Sequence, residues 1–315
     1  MKKNVILFVA AIVLASCMEE QVMEIPQRNA IAFGSVFIEN ATRAAEDPST
    51  QNGKLTAFDV WGFVKEYDGT VFDDQDVILE DGLWTYYGTQ YWVPEQEYYF
   101  SALAPMNSRN IAHQLASGEA AKLGLGTVTF TNEDGTEDLL YAHDSMFSNG
   151  VGETADPIQF QFKHLLSKLK FTFKNGFVTE NASIQVRNIR ITAPAEGSID
   201  VVQTDYSNGW VLEDEKVTLE FGDVEKLAYG NNAESAFERL TIPAPASYVY
   251  LITFDVDLYM GVQLVYTTSM ESTVTGVGLE IGKAYNFTAD ITPESLELDN
   301  IAFDVVRVDS WTPMQ

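Results

Sequence analysis

The sequence predicts an all-β protein built from two β-sandwich domains, and three observations support this fold class. Apolar and polar residues alternate with the two-residue period of strands in many short runs. Asp-Gly and Asn-Gly pairs separate several of these runs, and they supply the positive φ that tight hairpin turns require. The chain has 315 residues, of which 46% are hydrophobic, so it is long and apolar enough for two domains with their own cores.

The predicted strands follow one another along the whole chain. Their residues are mainly β-branched and aromatic, with apolar side chains on one face and polar side chains on the other. In order, the main runs are IAFGSVFI (31–38), FDVWGFV (58–64), EYYFSAL (97–103), TVTF (127–130), IQFQF (158–162), KLKFTF (168–173), IQVRNIRIT (184–192), YVYLITFDVDLYM (248–260), VQLVYTTSM (262–270) and KAYNFTADI (283–291).

One stretch departs from the strand pattern, and one marks a domain boundary. The Ala-rich stretch NIAHQLASGEAAKLG (110–124) predicts a helical insertion between strands. The polar stretch TADP (154–157) is the best candidate boundary, because each half then holds enough strands for its own sandwich. We therefore expect an N-terminal domain over residues 44–156 and a C-terminal domain over residues 157–315.

The N-terminal residues indicate export as a lipoprotein. Residues 1–17, MKKNVILFVAAIVLASC, combine two lysines with an apolar run that is too short to span a bilayer comfortably. LASC at 14–17 has the form of a lipobox, in which Cys17 is lipidated and becomes the new N-terminus. Cys17 is also the only cysteine in the chain, and lipidation explains a single thiol in an exported protein. The mature protein then has no disulfide.

The composition argues against two classes of partner and gives no sign of catalysis. With a formal net charge of −27, the surface repels nucleic acid phosphates and anionic lipid headgroups. The three histidines, His113, His143 and His164, are isolated and lack metal-ligand spacing, so we expect ordinary surface or half-buried side chains. His164 is expected to mark a connection between strands. No nucleophile elbow or phosphate-binding loop occurs, so we expect no enzyme, no cofactor and no metal.

Two features leave binding open as an alternative. The acidic run DDQDV (73–77) offers oxygen ligands for calcium, but it lacks the EF-hand pattern and is expected to be a solvated loop. The segment LWTYYGTQYWVPEQEYYF (83–100) is dense in Trp and Tyr. Such residues stack on sugars or fill both faces of a hairpin. A surface glycan-binding lipoprotein is therefore the alternative function.

Several blocks together resemble the Bacteroidales fimbrillin family, the subunits of type V pili. Behind the lipobox they span nearly the whole chain in the family's order. They are IAFGSV…NATRA (31–44), FDVWGF (58–63), YYFSALAP (98–105), FQFKHLLSKLKFTFKN (160–175), GKAYNFTADIT (282–292) and FDVVRVDSWTP (303–313). The resemblance implies a structural subunit of a cell-surface fimbria that supports adhesion, with two transthyretin-like β-sandwich domains.

The resemblance also implies how the subunit is processed. Family members reach the outer membrane as lipoproteins, where an arginine-specific surface protease cuts after an Arg that follows the first strand. The matching position is Arg43, so cleavage is expected between Arg43 and Ala44, and residues 18–43 form a propeptide that contains the removable strand. Another fimbrial subunit, the same or related, then fills the vacated groove by β-strand addition. Host or bacterial surface ligands are further expected partners.

The C-terminal strand is the expected donor in this exchange. Its alternating apolar side chains suit successive pockets in a groove, and we expect the strand to be free to donate. The expected pocket-filling residues are Ile301, Phe303, Val305 and Val308.

Overall fold

The computed structural model describes residues 30–38, 50–51, 54–65, 69–117, 124–149, 155–202, 206, 209–297 and 301–308. Within these residues the protein is nearly all β, which confirms the predicted fold class. No helix in this part of the chain has the length and apolar character needed to cross a membrane. The elements are β1 (Phe37–Ile38), β2 (Thr50–Gln51), β3 (Lys54–Leu55), β4 (Ala57–Val64), β5 (Gly69–Glu80), β6 (Leu83–Tyr86), β7 (Glu97–Ala104), β8 (Ile111–Leu115), β9 (Leu125–Thr131), β10 (Leu140–Phe147), β11 (Gln161–His164), β12 (Ser167–Asn175), β13 (Ala182–Pro194), β14 (Glu196–Asp200), β15 (Trp210–Leu212), β16 (Lys216–Gly222), β17 (Leu227–Ala228), β18 (Asn232–Glu234), β19 (Arg239–Thr241), β20 (Tyr250–Met260), β21 (Gln263–Val274), β22 (Ala284–Ile291), α1 (Pro293–Glu297) and β23 (Asp304–Val308).

A seven-stranded sheet forms the centre of the N-terminal half, in the order β1-β11-β10-β7-β4-β5-β6. The sheet buries both faces. On β4, Phe58 and Val60 enter one core, whereas Trp61 and Phe63 enter a second core on the opposite side. The register of β4 against β5 shifts around Gly62, where an added Cβ would lie 2.9 Å from the rings of Phe100 and Phe72. Only glycine therefore fits this irregular point of the sheet.

A four-stranded sheet, β15-β14-β9-β8, contributes to the second core. β9 and β8 come from the N-terminal half of the chain, whereas β14 pairs antiparallel with β9 and comes from residues 196–200. β11, at residues 161–164, likewise pairs with β10. Strands from both sides of the predicted boundary at 156–157 therefore share sheets.

The C-terminal half is a sandwich of two sheets around one core. One sheet has the order β18-β12-β22-β23, with β19 also pairing with β12; the other has the order β16-β13-β20-β21, with β17 pairing with β13. The alternation of KLKFTF holds, because Leu169, Phe171 and Phe173 are all buried in this core. β12 and β22 are parallel and form the middle of their sheet.

Two sequence-based expectations are wrong. In the predicted helix at 110–124, residues 111–115 form strand β8, which pairs antiparallel with β9. The half-buried Ile111 and His113 alternate with exposed neighbours, so packing on β9 overrides the helix preference of alanine. The acidic run 73–77, expected to be a loop, lies within β5, where its carboxylates are solvated on a strand.

Candidate functional site

Residues 30–38 form the last segment of the seven-stranded sheet and pair in parallel with residues 158–162. Phe33 bridges Ile158, and β1 pairs with β11 so that Phe37 lies opposite Gln161. The N–H of Gly34 donates to the carbonyl oxygen of Ile158 at 2.8 Å, and the N–H of Ile158 donates to that of Ala32 at 2.8 Å. The segment is therefore hydrogen-bonded to the sheet through an isolated bridge at Phe33 and the short strand β1.

The other end of this segment reaches the opposite edge of the same sheet. Ala30 forms an antiparallel bridge with Tyr91, which follows β6. The N–H of Ile31 donates to the carbonyl oxygen of Gln90 at 2.8 Å, and the Tyr86 hydroxyl donates to the carbonyl oxygen of Ile31 at 2.7 Å. Because one end pairs near β11 and the other near β6, the segment closes the sheet. We call residues 30–38 the closing segment.

The closing segment fills an aromatic groove. Ile31 and Phe33 are only 2% and 6% exposed, and both belong to the core that Phe58 and Phe160 line. The Phe33 ring lies 5.7 Å from those of Phe58 and Phe72, 5.8 Å from that of Tyr86 and 5.9 Å from that of Phe160, measured between centroids. Burying two such side chains contributes about 3–6 kcal/mol of gross stabilisation. Without the closing segment, these rings would face solvent.

The predicted processing residues lie outside the described residues. Cys17, Arg43 and Ala44 belong to the parts of the chain on which the structure gives no account. Ile38 is the last described residue before Arg43. A cut after Arg43 would therefore separate the whole closing segment from the rest of the sheet.

The predicted donor strand is placed in its own C-terminal domain. β23 pairs antiparallel with β22, with Val305 opposite Phe287 and Val308 opposite Ala284. Ile301 is buried, and its carbonyl oxygen accepts a 2.7 Å hydrogen bond from Ser272 Oγ. The expectation of a free strand is therefore wrong for the single chain: β23 is the outer strand of a complete sheet.

Apolar residues near and on β23 face the core, as the alternation predicts. The Phe303 ring lies 5.7, 5.9 and 6.0 Å from those of Phe171, Phe173 and Phe254, measured between centroids. Val305 packs against the same core, whereas Val306 on the opposite face is 48% exposed. This part of the chain thus has the one-sided apolar pattern that a groove requires.

The histidines occupy three different environments. His143 is exposed on β10, and His113 packs its ring 4.6 Å from that of Trp61. His164 departs from the expectation, because it is buried at the end of β11 and its Nδ1 lies 2.6 Å from Oδ2 of buried Asp138. These two residues are 26 positions apart, so no local pattern could reveal the pair.

The aromatic segment at 83–100 contributes mainly to the N-terminal core. Trp92, Tyr98 and Phe100 are buried together, with the Trp92 ring edge-on to both others at 4.7 and 5.9 Å. The Tyr98 hydroxyl accepts a 2.6 Å hydrogen bond from the N–H of Val93. Tyr87 is the most exposed aromatic side chain of this segment. The segment therefore offers little continuous aromatic surface for stacking on sugars.

The chain is similar to fimbrial proteins both in sequence and in structure. A family model described as fimbrillin-like matches residues 42–311. A fimbrial protein from Bacteroides vulgatus ATCC 8482 has a similar structure, with a TM-score of 0.57 and 15% identity over 90% of this chain and 100% of that one. A proposed cell adhesion protein from Bacteroides eggerthii DSM 20697 matches with a TM-score of 0.50 and 11% identity over 90% and 98% of the two chains. At these identities the structural likeness shows the fold. No curated protein matches the sequence.

Proposed function

Because the chain belongs to the fimbrillin-like family, we propose that it is a structural subunit of a cell-surface fimbria that associates with other fimbrial subunits. The β-sandwich fold, shared with a fimbrial protein from Bacteroides vulgatus, agrees with this role. The subunit works by assembly, so we expect no catalytic residues and no cofactor. We further propose that two domains meet near residues 156–157, although some strands cross into sheets of the other half.

Export as an outer-membrane lipoprotein is the first step of the proposed route. The lipobox LASC and the single cysteine support lipidation at Cys17. The lipid would hold the precursor at the surface until the chain is cut.

Cleavage after Arg43 by an arginine-specific protease is the second step. The observation that carries the proposal is the position of the closing segment: it completes the N-terminal sheet, yet the whole segment precedes Arg43 in the chain. In the intact chain, backbone groups of Ile31, Gly34 and Phe37 are hydrogen-bonded to the sheet, and the side chains of Ile31 and Phe33 are buried. Loss of the segment would leave unpaired backbone groups and an apolar groove, a state that demands a partner.

Strand exchange with another subunit is the third step. Residues 301–308 of a second copy are the proposed donor, because Ile301, Phe303 and Val305 alternate as a groove requires. Inserting these three apolar side chains gives on the order of 5–9 kcal/mol of gross burial. The donor strand β23 must first separate from β22 in its own subunit. The apolar burial lost there opposes the burial gained in the groove of the accepting subunit. We infer that the exchange is slow and is driven by the empty groove.

Replacing Arg43 tests the route. Arg43→Ala should block cleavage, keep the closing segment in place and leave the subunit monomeric. N-terminal sequencing of the surface form and negative-stain imaging of fimbriae would measure both effects. Arg28→Ala is the matched control, since Arg28 precedes the closing segment and its loss should leave cleavage and filaments unchanged. Filaments of normal length from Arg43→Ala would show that release at this site does not trigger assembly.

A further inference from the structure

Strand β21 is the outer strand of the sheet β16-β13-β20-β21 and pairs with β20 on one side only. The antiparallel ladder is regular from Tyr266 to Val274, and a bulge at Val265 separates it from the hairpin turn. Along an edge strand, alternate residues direct their backbone N–H and C=O groups away from the sheet. Between Gln263 and Met270, no described residue outside β20 is hydrogen-bonded to the backbone of β21. This length of β21 therefore has backbone groups available to another strand.

The side chains along this part of β21 are largely apolar and exposed. Val262, in the hairpin turn, is 97% exposed, and Leu264, Val265 and Tyr266 are each 46–49% exposed. Because successive residues of a strand point to opposite faces, these apolar side chains occur on both faces of the sheet. We call residues 262–270 the β21 edge.

The β21 edge carries no charge, although the chain as a whole is strongly acidic. The stretch from Leu258 to Met270 contains no Asp, Glu, Lys or Arg, whereas the formal net charge of the chain is −27. Natural edge strands avoid unwanted pairing through lysine, proline, charged side chains, short length or bulges. β21 has 12 residues, and its bulge at Val265 leaves the ladder beyond it regular. The β21 edge therefore lacks the usual protection against pairing.

The other described edge strands have this protection. β16, at the opposite edge of the same sheet, contains Lys216 and Glu220, and β23 contains Asp304 and Arg307. The strands β1, β6, β8, β15 and β18 have only two to five residues each. Within the part of the chain that the structure describes, β21 is thus the long edge with an uncharged stretch.

The chemistry of the β21 edge selects the kind of partner. A lipid surface would accept the apolar side chains, but hydrocarbon offers no groups that bond the outward N–H and C=O. A strand bonds these backbone groups, and an uncharged strand also covers the apolar side chains without burying a charge. The β21 edge of a second copy has both properties. Two identical edges that meet antiparallel about a twofold axis are self-complementary.

The twofold pairing also keeps the negative charges of the two copies apart. With the axis at Thr267, near the middle of the uncharged part of β21, Glu271 lies four positions from the axis in each copy. The two carboxylates are then eight positions apart, which is about 27 Å along the strands. This separation exceeds the Debye length of about 8–10 Å at physiological ionic strength. The same pairing brings the amide of Gln263, a hydrogen-bond donor, near the level of Glu271 in the other copy.

We propose that β21 pairs antiparallel with β21 of a second copy of this chain, so that two C-terminal sheets join into one continuous sheet. The contact lies in the C-terminal half and uses neither the closing segment nor β23. It therefore depends on neither cleavage nor strand exchange. Within the proposed fimbria, it would join subunits of neighbouring filaments side by side.

Sedimentation velocity of the uncut precursor, residues 18–315, tests the contact separately from strand exchange, because the closing segment is still attached. We expect a monomer–dimer equilibrium with a Kd on the order of 10–100 µM, as for a small interface. Raising the NaCl concentration from about 0.05 to 0.5 M should strengthen the dimer, because salt screens the repulsion between two acidic copies. A monomer at every concentration up to about 1 mM would overturn the proposal, and so would a dimer that salt dissociates, since ion pairs would then hold it.

Two valines of equal exposure provide a matched pair of variants. Val265 and Val249 are both 47% exposed, but Val249 precedes β20 at the other end of the hairpin. Val265→Glu should weaken the dimer by about tenfold or more, because the twofold axis brings two carboxylates into one apolar contact. Val249→Glu should leave the Kd unchanged, and circular dichroism melts verify that both variants are folded. An unchanged Kd for Val265→Glu, or equal weakening by both variants, would contradict the assignment.

Cross-linking locates the contact on β21. Residues 18–315 contain no cysteine, so a single introduced thiol reports its own position. Thr267→Cys, at the axis, should be cross-linked to its counterpart by a short bismaleimide. Thr273→Cys lies six positions from the axis, which places its counterpart about 40 Å away, and should not be cross-linked. A dimer in which Thr273→Cys reacts and Thr267→Cys does not would rule out this pairing.

Discussion

Phe33 and Phe37 form a matched pair for testing the closing segment. Phe33 is buried among four aromatic rings, whereas Phe37, on the same segment, is 57% exposed. The two residues have the same chemistry and the same helix and strand propensities. Any difference in stability between the two alanine variants therefore measures how much packing in the groove contributes.

We expect Phe33→Ala to lower the free energy of unfolding of the soluble precursor, residues 18–315, by about 3–5 kcal/mol, because it empties the centre of the aromatic groove. Phe37→Ala should change it by less than about 0.5 kcal/mol. Urea denaturation followed by tryptophan fluorescence measures both. Equal losses for the two variants would show that the groove does not distinguish the faces of the segment.

The buried carboxylate of Asp59 is one feature that the strand pattern does not predict. The β-branched and aromatic residues of FDVWGFV predict a strand, and the signal in this run is Asp59, because a carboxylate between Phe58 and Val60 is unusual in a strand buried on both faces. Asp59 Oδ1 and Trp61 Nε1 lack hydrogen-bond partners among the described residues, which is visible only once the neighbouring elements are in place. The buried pair of Asp138 and His164 gave no local signal at all.

The sequence predicts the positions of the strands better than it predicts which strands pair with each other. Period-two alternation identifies β11, β12 and β22, because each buries one or both faces against a core. The parallel pairing of residues 33–38 with residues 158–162 joins segments far apart in the chain, and no periodicity specifies such a pairing. The helix prediction for residues 110–124 is wrong for a related reason. Pairing with β9 makes residues 111–115 a strand, although the stretch as a whole is rich in alanine.

Val305 and Val306 lie on opposite faces of β23, so their substitutions test the two faces separately. We expect Val305→Asp to be cleaved normally after Arg43 but to form few filaments, because a carboxylate facing the groove has no partner there. Val306→Asp, on the exposed face, should assemble almost as the unmodified protein does. Gel analysis of boiled and unboiled surface fractions measures cleavage and oligomer ladders.

Because Val305 also packs against its own domain, each variant needs a stability measurement. Circular dichroism melts of the monomers should confirm that Val305→Asp is still folded at the assembly temperature. Normal filament yield from folded Val305→Asp would mean that another segment acts as the donor.

For the whole molecule, the surface location proposed above depends on the single cysteine. Cys17→Ser should abolish labelling with a fatty acid analogue and leave unprocessed precursor, because no other thiol exists to accept the lipid. Metabolic labelling followed by membrane fractionation measures both. Met18→Ser, at the next position, is the control and should leave labelling unchanged. Unaltered membrane partitioning of Cys17→Ser would rule out lipidation as the anchor.

The whole molecule also keeps most of its charge through the proposed processing. Residues 1–43 contain four basic and four acidic residues (Lys2, Lys3, Arg28, Arg43 and Glu19, Glu20, Glu24, Glu39), so the full chain and residues 44–315 both have a formal charge of −27. The lipoprotein that begins at Cys17 lacks the two lysines and has a charge of −29, so the cut after Arg43 removes only two net negative charges and relieves little of the repulsion between subunits. The change must lie in the sheet that the closing segment completes.

The closing segment has a consequence in terms of mass action. While the chain is intact, the return of the segment to the groove is an intramolecular event, and the covalent connection gives it an effective concentration on the order of millimolar. After a cut at Arg43, the same hydrogen bonds and ring contacts hold a separate peptide, and dilution at the cell surface opposes its return. A single hydrolysed bond thus turns a folding equilibrium into a binding equilibrium without altering one contact in the sheet. Added peptide of residues 30–38 should then compete with the incoming strand and slow fimbrial growth in proportion to its concentration.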